Sequence, residues 1–218
     1  MTYEMILKDP AINTYITHAD ATLEVLGYTE HSFAHVTRVA QTAGRLLETL
    51  HYPQRTVELA KIAGYMHDIG NVVNRSEHSQ SGAVMAFRLL DRMGFDPEEI
   101  AVIVSAIGNH DEGTGVPVSA VAAALILADK SDVRRSRVRS KRTETFDIHD
   151  RVNYSVTEAQ LYVNEDQTQV TLSLTVDTQF SPVMDYFEIF MRRMNLCRQA
   201  AKALGLEFKL VINRQNML

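Results

Sequence analysis

Residues 64–70 read Gly-Tyr-Met-His-Asp-Ile-Gly, so a histidine and an aspartate stand side by side where an apolar helical run ends. If the helix end turns both inward, adjacent imidazole and carboxylate can bind one metal ion, and the second carboxylate oxygen can reach another. Other groups of the same kind are strung along the chain. His35 lies upstream, and His78, His110 and Asp129 lie downstream, each on or beside a separate predicted helix. Any fold for this chain has to find partners for ionisable groups embedded in apolar segments, because burying them unpaired is costly.

The apolar spacing predicts a mainly α chain with a small α+β tail. Asp9-Pro10 opens a first helix that Gly27 closes. A second runs from about 30 to 50, with Phe33, Val36, Val39, Ala40, Ala43 and Leu47 at helical spacing. Pro53 suits the first turn of a third, which leads into His67. A fourth spans from His78 to Gly94. Asp96-Pro97-Glu98-Glu99 combines an N-cap, a first-turn proline and a capping-box glutamate, opening a fifth that reaches about His110. A glycine-containing loop over 111–117 precedes a sixth helix over 120–131. Near Phe146 the period changes to two: 152–163 and 168–176 alternate and are rich in Val, Thr, Leu and Tyr, which reads as a β-hairpin. Pro182 opens a last helix that Gly205 ends, and 208–212 is a final strand. The expected organisation is a helical domain over 1–145 and a β-β-α-β appendage over 146–218. Its strands are expected in one small antiparallel sheet covered by the last helix, closing one side of the pocket or supporting a homodimer.

Composition excludes several classes. The single Cys197 rules out an internal disulfide and fits a reducing compartment, so a cytoplasmic protein is expected. The first ten residues lack a basic segment followed by an apolar one, so no signal peptide is expected. The longest wholly apolar run, 120–128, is too short to span a bilayer. A net charge of −5 argues against a general nucleic-acid binder. The charge is uneven, however: Lys130 is followed by Arg134, Arg135, Arg137, Arg139, Lys141 and Arg142.

Imidazole and carboxylate suit Mn, Fe, Co, Ni or Zn, and one cysteine excludes a thiolate site. Each group has a plainer reading. A single buried histidine usually bonds a carbonyl, Asp129 suits a buried cap or ion pair, and His67-Asp68 suits a helix C-terminus, where His favours the dipole. The order His, His-Asp, His, His, Asp along a helical chain favours a metal site over these. His31 stands one helical turn before His35 and either extends the site or caps the helix start. Asp111 and Glu112 follow His110 and either orient a ligand, act as acid or base, or are solvated.

The chain resembles the HD-domain superfamily of metal-dependent phosphohydrolases over about 30–142. The resemblance is carried by His35-Val36-Thr37-Arg38-Val39-Ala40, the literal HDIG at 67–70, His78-Ser79-Gln80-Ser81-Gly82, the segment 109–117, and Ala128-Asp129-Lys130-Ser131-Asp132. Segment 109–117 is partially similar to the signature of HD-GYP phosphodiesterases. Asn109, Val116 and Asn71 stand where that family has His, Tyr and Lys. The resemblance implies an HD-domain helical bundle in which His35, His67, Asp68 and Asp129 hold a first ion. His78 and His110 would take a second, with Asp68 bridging and His67-Asp68 at the catalytic centre. Two divalent transition-metal ions are expected, with Mn or Fe favoured over Mg, Co, Ni or Zn. Such ions activate water for attack on phosphorus, so no protein nucleophile is required. Lys130, Arg134 and Arg137 are the expected phosphate clamps, the alternative being a solvated basic face. The expected substrate is a small phosphorylated molecule, nucleotide-like, with no membrane partner. The alternatives are a nuclease that uses the basic run on RNA or DNA, and a non-catalytic ligand-sensing HD module.

Overall fold

In the computed structural model, which describes residues 1–140 and 142–218, several helices begin where a short polar side chain caps them. Asp9 Oδ1 accepts from the amides of Ala11 and Ile12, with Pro10 in the first turn, and opens α2 (Pro10–Val25). Ser32 caps α3 (Phe33–Thr49), Asp96 caps α6 (Pro97–Gly108) and Ser119 caps α7 (Ala120–Ser131). The remaining bundle helices are α1 (Tyr3–Lys8), α4 (Gln54–Met66) and α5 (His78–Arg92). A 3-10 turn over Ile69–Val72 follows the His-Asp pair. The short α1, which the sequence pattern did not suggest, buries Tyr3 and Ile6 in the core. Glu99, expected to complete a capping box, instead pairs with Arg55 of α4, its Oε1 2.6 Å from Arg55 Nε. The N-cap bond runs from the Glu98 amide to Asp96.

Two glycines fix how the bundle closes. A Cβ at Gly64 would lie 2.7 Å from Ala40 Cα, so α3 and α4 touch backbone to backbone at this point. A Cβ at Gly70 would lie 2.0 Å from the His78 carbonyl oxygen and 2.5 Å from the Gly82 amide. The turn after His67-Asp68 therefore rests directly on the start of α5. Between these elements runs α7, whose residues 121–128 are all buried. A helix apolar on every face belongs at the centre of a bundle, and α7 packs on α3, α4, α6 and the last helix.

The C-terminal third departs from the sequence reading in two respects. Asp147 caps an eight-residue helix, α8 (Ile148–Ser155), where a strand was expected from Val152 onward. The strand β1 (Val156–Val163) starts only after it and pairs antiparallel with β2 (Gln169–Val176), as the hairpin reading expected. The long helix α9 (Val183–Ala203) then returns the chain, so β3 (Glu207–Ile212) runs parallel to β2 rather than antiparallel. A helical crossover is the connection that a parallel pair requires. A two-residue strand, β4 (Gln215–Asn216), adds antiparallel to β3 and gives the order β1-β2-β3-β4. The fold is mainly α with this small sheet at the C-terminal end. One hydrophobic cluster runs unbroken from α1 to β3, with α9 packed on both α7 and the sheet. Among the described residues no helix is long and apolar enough to cross a membrane.

Candidate metal centre

Five elements deliver ionisable side chains to one point at the bundle's end. His35 stands in the first turn of α3, because the Ser32 cap sets the beginning later than the start near residue 30 that the spacing suggested. His67 ends α4, and Asp68 lies between α4 and the 3-10 turn. His78 opens α5, His110 lies just past α6, and Asp129 sits in the last turn of α7. All four imidazoles are buried, as is Asp68.

The two oxygens of Asp68 face two groups of histidines. Oδ2 lies 3.2 Å from His67 Nε2 and 3.6 Å from His35 Nε2. Oδ1 lies 3.6 Å from His78 Nε2 and 4.0 Å from His110 Nε2. Asp129 Oδ1 completes the first group, 3.3 Å from His35 Nε2 and 3.6 Å from His67 Nε2. The ligand atoms of His35, His67 and Asp129 lie within 4.8 Å of one another, as do those of His67, Asp68 and His110.

Every one of these rings is oriented through its other nitrogen. His67 Nδ1 lies 2.8 Å from the Gly64 carbonyl, His78 Nδ1 3.0 Å from that of Arg75, and His110 Nδ1 2.6 Å from that of Ile107. In each case the carbonyl belongs to the residue three positions earlier. A carbonyl only accepts, so Nδ1 carries the proton and Nε2 presents a lone pair to the site. His35 differs, since its Nδ1 lies 2.8 Å from Oδ2 of Asp132, a buried carboxylate 97 positions away. Asp132 is held in turn by Arg38 and Arg134. Asn71 donates to Asp68 Oδ1 at 3.0 Å. Ligands fixed by such outer partners are characteristic of metal sites.

The test of fit is what remains unpartnered. His35 Nε2, His67 Nε2 and Asp68 Oδ2 are fully buried and lack a hydrogen-bond partner. Orphaned polar atoms are rare in protein interiors, and three that converge on one point fit a cation. The charges agree. Burial opposes the protonated form of His67, but the Asp68 and Asp129 carboxylates outweigh it and raise this group to about 10, so Nε2 takes up a proton unless another cation stands at that point. Burial also opposes ionisation of both carboxylates. The His67 charge still holds Asp68 well below the usual range, while Lys130, His35 and His67 do the same for Asp129. Burial, with the nearby His67 and Lys130 charges, keeps His110 well below its ordinary value. The carboxylates thus form a concentrated negative centre that attracts positive charge.

A chain of ion pairs ties this centre to the C-terminal part. Lys130 is buried, its Nζ 2.6 Å from Asp129 Oδ2 and 2.9 Å from Glu112 Oε2. Glu112 Oε1 in turn lies 3.2 Å from Nη2 of Arg193 on α9. The outward oxygen of Asp129 is thereby occupied, and Oδ1 is left facing His35 and His67.

The centre opens into a cavity of about 440 Å³, whose walls include His31, Arg75, Lys130, Arg137, His149 and Arg193. His31 lies in the loop before α3 rather than a turn earlier on the same helix. Its Nδ1 is 2.6 Å from the Thr29 carbonyl and its ring is 5.3 Å from that of His35. The expected phosphate clamps are placed differently from one another. Lys130 and Arg137 reach the cavity wall, Lys130 bound to carboxylates and Arg137 bonded to the carbonyls of Glu30 and Asp132. Arg134 is not among the lining residues and bridges Asp132 and Glu30. Lys141 lies outside the described residues. Sequence reasoning missed Asp132, Arg75 and Arg193. The position of Asp132 one helical turn after Asp129 was the available signal for the first, but nothing local marks Arg193, which is far along the chain.

A model of the HD domain matches residues 32–154, the part of the chain that holds the whole histidine and aspartate set. An uncharacterized protein of Methanocaldococcus jannaschii is similar as well, 24% identical over 199 aligned residues that cover 79% of this chain and 76% of that protein. With more than half of its length matched and the His-Asp centre assembled from that half, this chain belongs to the HD domain family, whose members are generally metal-dependent hydrolases.

Proposed function

We propose that the protein is a metal-dependent phosphohydrolase that cleaves a phosphomonoester or phosphodiester bond of a nucleotide-like small molecule. The observation that carries this reading is the convergence of unpartnered, buried His35 Nε2, His67 Nε2 and Asp68 Oδ2 on one point beside a cavity. His35, His67, Asp68 and Asp129 would hold one divalent ion, and His78 and His110 a second, with Asp68 offering one oxygen to each. Mn and Fe suit these nitrogen and oxygen donors. When bound, such ions supply Lewis acidity toward phosphate oxygens and activate water.

The chain's own residues do the rest. Asp132 and the carbonyls of Gly64, Arg75 and Ile107 keep each imidazole in the tautomer that offers Nε2. Asn71 aims Asp68 Oδ1, and Lys130 turns Asp129 so that Oδ1 faces the histidines. The cavity volume is that of a single small-molecule site. The basic segment after Asp129 favours such a substrate over a nucleic-acid strand, because Arg134, Arg135, Arg137 and Arg139 are engaged internally. Arg135 bonds the Tyr154 carbonyl, and Arg139 bonds Asp20 and the Tyr28 carbonyl. An open basic track of the kind that binds a phosphate backbone is not what these residues form.

The test is elemental analysis of gently purified protein, with hydrolysis assays on nucleoside monophosphates, dinucleoside polyphosphates and cyclic dinucleotides after metal loading. Metal approaching two ions per chain is expected, with loss of activity in His67→Ala and Asp68→Ala. Metal-free protein that gains no hydrolytic activity on loading would exclude the proposal.

A further inference from the structure

Among the described residues four lysine and arginine side chains line the cavity: Arg75, Lys130, Arg137 and Arg193. Three are already engaged by acidic groups of the chain. Lys130 pairs with Asp129 and Glu112, Arg193 pairs with Glu112, and Arg137 lies 4.0 Å from Asp132 Oδ2 while bonding two carbonyls. Arg75 makes no ion pair with a carboxylate among the described residues. Its contacts are Asn71 Oδ1 at 3.3 Å and His78 Nε2 at 3.4 Å, both through Nη1, and the Tyr28 ring, 5.5 Å from the guanidinium carbon. Asn71 is the same side chain whose amide donates to Asp68 Oδ1. One asparagine therefore fixes a bridging carboxylate with its nitrogen and this arginine with its oxygen.

The position of the charge matters as much as its freedom. Nε2 of His78 is the nitrogen that faces Asp68, so the guanidinium lies beside the centre and at the cavity wall together. A planar guanidinium presents several donors in a fork that matches phosphate oxygens. The Tyr28 ring lies against it, and both side chains line the cavity.

We infer that Arg75 is the side chain that grips the phosphoryl group of the ligand, while Lys130 and Arg137 serve to hold the protein's own carboxylate and carbonyl groups in place. This assignment rests on the phosphohydrolase reading for its place beside the metal ions, but it concerns an anion site built from Arg75, Asn71 and Tyr28. Inorganic phosphate is the probe. It is titrated by calorimetry into wild-type, Arg75→Ala and Arg75→Lys protein, each before and after loading with Mn, with metal content and thermal melting measured alongside. In the loaded protein Arg75→Ala should weaken phosphate binding about tenfold or more, the scale of lost charge-assisted hydrogen bonds. Arg75→Lys should lie between, since it keeps the charge and loses the fork. Metal content should not change, because Arg75 ligates no ion. Equal phosphate affinity of wild-type and Arg75→Ala protein in both metal states overturns the assignment, as does a wild-type protein that binds no phosphate in either. Arg75-dependent phosphate binding by a protein that takes up no Mn would leave the anion site standing and remove the metal reading instead. Should Arg75→Ala melt at a lower temperature, Arg75→Lys decides by the same comparison.

Discussion

Asp132 is the residue through which one ligand reaches across the fold. It accepts from His35 Nδ1 and is itself surrounded by Arg38, Arg134 and Arg137. Replacing it with alanine should leave His35 free to rotate and to change tautomer, lowering metal affinity by about 10- to 100-fold. Asp132→Asn, which keeps an acceptor, should recover part of the loss. Competition with a chromogenic chelator measures both, and unchanged affinity in Asp132→Ala would mean that packing alone orients the ring. The ligand types were legible in the sequence because histidine and aspartate inside apolar helices need a reason to be there, and the HDIG stretch marks one such place. Their supporting groups were less so. Asp132 and Asn71 look like ordinary polar residues at helix ends, and Glu112 is a loop acid that the sequence leaves between ligand orientation, acid-base work and solvation. Only the packed structure shows Glu112 between two cations, with its carboxyl held well below the usual range by Lys130 and Arg193 despite burial.

At the level of elements, the turn after His67-Asp68 depends on a missing side chain. A methyl group at Gly70 would meet backbone atoms of His78 and Gly82, which cannot rotate away. Gly70→Ala should therefore displace α5 or the turn and cost about 1–3 kcal/mol, read as a lower urea midpoint with an unchanged slope. Gly82→Ala, whose Cβ would lie 3.3 Å from its nearest neighbours, should cost less. Helix α9 carries a second expectation. Arg193→Met breaks the chain Arg193–Glu112–Lys130–Asp129 and leaves Glu112 with one cation fewer. The loss should be about 2–4 kcal/mol, the scale of a broken, largely buried ion pair. Metal affinity should fall with it, and Arg193→Lys should restore most of both. A variant as stable as the wild type would show that α9 is held by its apolar face alone. The sequence marked most of these helices correctly, since apolar period and N-caps are local signals. It misplaced the start of β1 because Val152 to Val156, which straddle the end of α8 and the first residue of the strand, form a run readable at either period. The direction of β3 was hidden for another reason: strand order is set by where α9 docks, which no window of sequence contains.

For the molecule as a whole, one continuous core joins the helices to the sheet. Unfolding should accordingly appear as a single cooperative transition by calorimetry and by circular dichroism, and two separated transitions would contradict this. A ligand that binds only the folded chain stabilises it by mass action, about 2.7 kcal/mol at a hundredfold excess over Kd. Chelation should then lower Tm by roughly 5–10 °C for a chain of this size. A Tm indifferent to chelator and to added Mn would count against bound metal. The hydrogen bonds behind the imidazoles have a further meaning for how such a centre comes into being. Three of the four rings take their orienting bond from a carbonyl three residues back, within reach of a single turn of chain. Their chemical readiness is thus written into short local windows and arises with the helix ends themselves. His35 alone waits for a partner 97 positions distant. Closure of α3 onto the end of α7 is then the event that turns a set of prepared but scattered donors into a site, so the long-range pair acts as the latch of assembly.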